Sequence, residues 1–209
     1  MPSPILWYVA DPMCSWCWGF SPSIDTLRDA YRDRLKTALV LGGLRPGTTD
    51  PLTPHARDEI LHHWHAVHAR TGQPFRFDGA LAPGFVYDTE PACRAVAAIG
   101  GIEPRLVFPL FKAIQHAFYA EGRDVTQPAI LAELVRDLGA DASAFCHAFD
   151  SAAARTTTAA HFRQARHAGV TGFPTLILQQ DTALHTISQG CLPLETVRET
   201  LEQHLGAGQ

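Results

Sequence analysis

Long apolar runs are missing from this chain, and so is any concentration of positive charge. The 209 residues hold 17 Lys and Arg against 21 Asp and Glu, a net charge of −4 with histidines neutral. No basic stripe stands out, which argues against nucleic acid and acidic membrane surfaces as partners. The apolar runs stop far short of the roughly 20 residues that span a bilayer. Charged residues make up 18% of the chain and hydrophobic ones 46%, a balance that suits a well-packed soluble protein. Cysteine is scarce as well: five residues, scattered, are too few for a disulfide scaffold. The opening Met1-Pro2-Ser3-Pro4 has no Lys or Arg and runs straight into an apolar strand. No secretory signal is expected there, and the cytosol is the expected compartment. Internal repeats and low-complexity segments are lacking too.

What is present is Asp11-Pro12-Met13-Cys14-Ser15-Trp16-Cys17-Trp18-Gly19-Phe20. The Cys-x-x-Cys stands at the end of the apolar run Ile5 to Ala10 and opens a segment with helical spacing at Ile24, Leu27, Tyr31 and Leu35. A cysteine pair at a strand-to-helix junction has the logic of a redox motif. The helix N-terminus carries about half a positive charge and favours thiolate over thiol. The first cysteine is then the attacker and the second, inside the first turn, the resolver. Cys14 is thus the candidate nucleophile and Cys17 the candidate resolving thiol. The rival readings are two buried structural cysteines, or half of a zinc site. Zinc needs about four ligands, and no second Cys-x-x-Cys exists.

Taken in order, Ile5 to Ala10 reads as a buried strand, and the following helix should kink at Pro22. A second strand, Ala38 to Leu41, closes at Gly42-Gly43, giving a parallel βαβ unit. A turn-rich stretch over 45–53 leads into about a hundred helical residues. Thr53 caps a helix that starts at Pro54, carries Ile60, Leu61, Trp64 and Val67 on one stripe, and stops at Gly72. Residues 73–88 read as irregular. Thr89 starts a helix with an inner face of Ala92, Ala95, Val96 and Ile99, ended by Gly100-Gly101. Glu103 to Tyr119 is a longer helix, kinked or broken at Pro109. Thr126 caps one reaching Leu138, Asp141 caps a short one, and Ser151 caps one to about His167. Pro174 to Leu178 and Leu184 to Ser188 form a hairpin across a polar turn at 179–182, and a last amphipathic helix begins at Pro193.

These residues together carry a resemblance. The chain resembles the DsbA-like branch of the thioredoxin superfamily, and more narrowly its cytosolic FrnE-type members. Four features match: the Cys14–Cys17 motif after the first strand, the kinking Pro22, the helical insertion after the second strand, and Gly169-Val170-Thr171-Gly172-Phe173-Pro174-Thr175, which is similar to the family's cis-proline loop. The resemblance implies an α/β, thioredoxin-like fold with an inserted all-helical domain. Residues 1–47 and 151–209 would form the two parts of the thioredoxin-like domain, with 48–150 the insertion. It implies a protein disulfide oxidoreductase or isomerase in which Cys14, Cys17 and Pro174 are catalytic. Trp16, Phe173 and Ser15 would meet the substrate. Partners would be disulfide- or thiol-containing proteins and peptides, and glutathione. No cofactor and no metal is required.

The pattern also departs from the family. Oxidising members carry His second between the cysteines and often Pro first; here Trp16 and Ser15 stand there. An indole stabilises a thiolate less than a histidine does, and Asp11 opposes it. The expectation is a mild exchange site that works as reductase or isomerase in a reducing cytosol. Two other functions compete. Kappa-class glutathione transferases and 2-hydroxychromene-2-carboxylate isomerases share the inserted architecture, but generally have serine in place of the catalytic cysteine. A metal-binding or chaperone module without turnover is the third. His62 and His65 share a helix face, read as solvated rather than as a metal site. Cys93 and Cys146 read as core. Cys191, in a loop before the last helix, has no assigned partner. Trp16 is placed on the rim of the site and Trp18 in packing on the insertion.

Overall fold

The computed structural model describes residues 3–206. Strand β1 (Ile5–Ala10) is the hub of a four-stranded sheet of order β2-β1-β3-β4. It pairs in parallel with β2 (Lys36–Leu41) and antiparallel with β3 (Thr175–Gln180), which turns back into β4 (Ala183–Gln189). The parallel pair is joined by α1 (Ser15–Ala30), the crossover that such pairing needs. The expected α/β arrangement, a thioredoxin-like sheet with an inserted helical run, is what the chain adopts.

The run comprises α2 (Pro54–Thr71), α3 (Glu90–Ile102), a 3₁₀ turn at Pro104–Leu106, α4 (Val107–Tyr119), α5 (Pro128–Asp137) and α6 (Ala142–Asp150). Helix α7 (Ala152–His167) then returns the chain to the sheet beside β2, and α8 (Leu194–Gly206) closes it beside β4. Three starts follow the capping residues read from the sequence. The Thr53 side chain accepts from Ala56 N–H, Asp141 from Ser143 and Ala144, and Ser151 from Ala154. Gly72, at φ 70°, ends α2 in the left-handed conformation.

Other boundaries differ. Helix α3 runs through Gly100-Gly101 to Ile102, because Gly100 packs so close to α4 that an added Cβ would lie 3.3 Å from Val107. The break expected at Pro109 falls earlier, at Pro104–Leu106, which leaves Pro109 in the first turn of α4, where its missing N–H costs nothing. Gln127, not Thr126, occupies the cap of α5; Thr126 instead donates to the Asp124 carboxylate at 2.6 Å. The hairpin turn is only Asp181–Thr182, so β3 reaches Gln180 and takes in half of the expected polar turn.

Helix α1 continues through Pro22. Proline cannot donate to the carbonyl four residues back, that of Trp18. The side-chain amide of Gln73, just past α2, donates to that carbonyl at 2.9 Å instead. Trp18 is fixed further by its indole N–H, which donates to Pro74 O at 3.0 Å, and by stacking on Tyr119. Trp18 therefore packs on the helical run, as its reading supposed. Gly19 allows α1 and α2 to cross closely: a Cβ there would meet Val67 at 2.8 Å.

Candidate active site

Cys14 is the N-cap of α1, with extended backbone (φ −95°, ψ 118°). Its amide donates to Asp11 O at 3.1 Å and its carbonyl accepts the Trp18 amide at 3.0 Å. Its sulfur thus stands at the positive end of a sixteen-residue helix with no acidic residue in the first turn. One turn on, Cys17 is fully buried, whereas Cys14 keeps 6% of its surface open. All five cysteines are free thiols. Burial first, and then the Cys14 sulfur beside it, push the Cys17 thiol well above its ordinary value.

The loop before β3 closes over the pair. The Phe173–Pro174 peptide is cis. The Cys14 thiol points at Phe173 O, 3.7 Å away. Pro174 is buried, and its carbonyl accepts the Gly190 amide at 2.7 Å. Phe173 and Cys14 therefore meet through a backbone carbonyl. The Phe173 ring instead lies over Gly42 at the end of β2, where an added Cβ would fall 2.1 Å from it. Cys191, next to Gly190, is half-buried on this side of the site.

The open side of Cys14 faces a cleft of about 230 Å³ between α1, α2 and the loop after β2. Ser15, Trp16, Leu44, Arg45, His63 and Tyr87 are among its walls, so Ser15 and Trp16 both reach the space in front of Cys14. Three of these residues are held by hydrogen bonds that the sequence does not announce. The Tyr87 hydroxyl donates to Met13 O at 2.6 Å. The Arg45 amide donates to Thr89 Oγ1 at 3.0 Å. The Leu44 amide donates to Asp11 Oδ2 at 2.7 Å.

Asp11 ties this wall to the motif. Fully buried, it takes the Met13 amide on Oδ1 at 2.8 Å and the Cys93 thiol on Oδ2 at 3.4 Å, besides Leu44. Burial raises its carboxyl above the ordinary 3.8, and those hydrogen bonds pull it part of the way back. Cys93 is core, as expected, and also a donor. Cys146 is not core: it is exposed. On α6, Phe145 and Phe149 are four apart and turn inward together, which points their neighbour Cys146 outward. On α2 the ring of His65 stacks on Phe77 at 4.0 Å. Among the described residues no group of three or more His, Cys, Asp or Glu is placed to hold a metal ion. No helix among them is long and apolar enough to cross a membrane.

Comparison with known proteins places this geometry. The family described as DSBA-like thioredoxin domain matches residues 6–202. Among solved structures, one from Nitrosomonas europaea, named there as a candidate protein disulfide isomerase, is 47% identical, with all of each chain covered and a TM-score of 0.95. The cytosolic disulfide reductase DsbM from Pseudomonas aeruginosa is 30% identical over 97% of this chain and 99% of its own, at a TM-score of 0.79. A second DsbM structure, with GSH, superposes at 0.76 and 29% identity over the same shares. A 2-hydroxychromene-2-carboxylate isomerase shares the fold, at 16% identity and a TM-score of 0.69 over 98% and 97% of the chains. No curated protein matches.

Proposed function

The chain belongs to the DSBA-like thioredoxin family, and from that premise we propose that it exchanges thiols and disulfides through Cys14 and Cys17. One observation carries the reading. A slightly open cysteine at a helix N-terminus faces the Phe173 carbonyl and a cleft, with a second, sealed cysteine one turn behind it.

The Cys14 thiolate attacks one sulfur of a substrate disulfide, and the other substrate sulfur leaves as thiolate. The departing thiolate takes the proton of Cys17. The Cys17 thiolate then attacks Cys14 Sγ, closes the intramolecular disulfide and expels the second substrate sulfur as a thiolate. Pro174 holds the loop that sets the Phe173 carbonyl against Cys14. Ser15 and Trp16 meet the substrate in the cleft, and Phe173 meets it through its backbone. The substrates are disulfides of proteins and peptides. Glutathione is the small thiol that re-reduces the pair, a reading supported by the GSH in a DsbM structure. With a cytosolic disulfide reductase among its relatives, the protein works in the cytoplasm in the reducing or isomerising direction. The helical run over 48–150 acts as a domain of its own that covers the cleft.

Insulin reduction coupled to glutathione tests this. The Cys14→Ser variant is expected to lose activity entirely, and Cys17→Ser to accumulate a mixed disulfide on Cys14 visible by intact mass. Full activity in Cys14→Ser would sink the assignment.

A further inference from the structure

Successive side chains of β1 point to opposite faces of the sheet. Leu6, Tyr8 and Ala10 turn toward α1, where all three are fully buried in the same cluster as Cys17 and Phe20. The Tyr8 ring lies 6.2 Å from that of Phe20 and 6.0 Å, edge-on, from that of Phe111. Phe20 follows Cys17 by three residues on the same side of α1. Tyr8 is therefore lodged beneath the resolving cysteine. Its hydroxyl has no hydrogen-bond partner among the described residues, although a buried phenol normally finds one. Among ionisable side chains, Cys17, Cys14 and Cys191 are those whose charge it senses, and Cys17 and Cys14 share its buried cluster. Burial holds the phenolic proton in place far above neutral pH, so the group stays a donor.

We propose that Tyr8 is the hydrogen-bond donor to Cys17 Sγ while that sulfur carries negative charge. The inference rests on the exchange reading above. In the resolving step Cys17 has given its proton to the departing substrate thiolate, and its sulfur is an anion in a fully buried site. Tyr8 keeps its own proton and offers the O–H to that sulfur. Cys17 then forms the bond to Cys14 Sγ, the bond from Cys14 to the substrate breaks, and its electron pair leaves on the substrate sulfur. The same anion appears in the reverse reaction, when a thiolate attacks Cys14 of the disulfide and the electron pair of the broken S–S bond lands on Cys17. A donor left unpaired beside the neutral thiol and paired only with the charged sulfur favours the reacting state over the resting one. Other titratable groups around Cys17 work against its anion: the Cys14 sulfur and the Asp11 carboxylate both raise its thiol.

The experiment uses the full chain with Cys146→Ser and Cys191→Ser, mixed in stopped flow with 5,5′-dithiobis(2-nitrobenzoate). The first thionitrobenzoate released reports attack by Cys14, the second resolution by Cys17. Adding Tyr8→Phe is expected to slow the second phase by about ten- to a hundredfold, the size of one hydrogen bond to a charged group. It should also move the pH midpoint of that phase upward, with the first phase unchanged. The variant keeps the ring and deletes only an unpaired hydroxyl, so its melting temperature should not fall. As a packing control, Phe111→Leu disturbs the same ring contacts, keeps the hydroxyl and should leave the second phase unchanged. A second phase indifferent to Tyr8→Phe at every pH, or slowed as much by Phe111→Leu, would overturn the proposal. Absence of the first phase with Tyr8 intact would overturn the exchange reading and this one with it.

Discussion

On the α1 side of the sheet, Leu6, Tyr8 and Ala10 vanish under α1 and the helical run. On the other side Trp7 and Val9 meet Val40, Ala165 and Ile177, and a half-open hollow of about 540 Å³ remains between that face and α7. Nearly all of the buried chemistry lies on the first side: Asp11, Cys17, Tyr87, Thr89 and Cys93. The difference follows from what each face must hold. An apolar face needs only enough cover to stay dry. Buried polar groups need fixed partners, because each one left unpaired costs on the order of 1–3 kcal/mol. Asp11 can remain under the motif only because three donors from three separate segments converge on it.

Adjacent residues of β3 give the largest effect with which to break this comparison, since Leu178 faces the covered side and Ile177 the thin one. Leu178→Ala should cost about 4 kcal/mol and Ile177→Ala about 2 kcal/mol, because the second site already borders a hollow into which neighbours can settle. Urea unfolding measures both, and equal costs would erase the distinction between the faces. A smaller effect comes from Asp11. Its folded carboxyl titrates above the ordinary 3.8, so the native state binds the extra proton. Its contribution to stability is full below that pH and declines as pH rises through the folded value. Relative to Asp11→Asn, the natural chain should lose stability as pH climbs from 4 to 7; a difference that is flat or of opposite sign would mean the carboxyl is not raised. The smallest effect belongs to Trp7→Phe on the thin side. It removes the half-buried bond from the indole N–H to Gln179 Oε1, 2.8 Å long, and part of a half-exposed ring, and should cost about 1 kcal/mol in the same urea assay.

The fold could be read from sequence where a local signal coincided with a tertiary need. Thr53-Pro54, Asp141 and Ser151 cap helices because a side-chain oxygen three residues or fewer from an orphan amide acts without help from elsewhere. The reading failed where a neighbour decided. Gly100-Gly101 looked like a stop, but α4 packs against it and the helix goes on. Cys146 looked buried between two phenylalanines, but the helical turn sends it outward. In the site, the motif was legible as a spaced pattern, and Phe173-Pro174 through the family resemblance. Tyr8 left only a faint mark, a phenol in an otherwise apolar strand. Thr89 was legible only as a helix start, and Arg45 and Tyr87 left no mark, since their roles in the site arise from which loops the helical run brings to Asp11 and Met13.

Pro22 and Gln73 have a consequence of their own. One removes a donor from the middle of α1 and the other, on a different helix's trailing segment, supplies it. Their effects therefore cannot be judged singly. Losing Gln73 strands the Trp18 carbonyl only while residue 22 is proline. Restoring an amide at 22 makes Gln73 dispensable, and sets two donors competing for one oxygen if it stays. In the language of inheritance the positions are epistatic, and the order in which they change decides whether the residue next to Cys17 ever passes through an unpaired state.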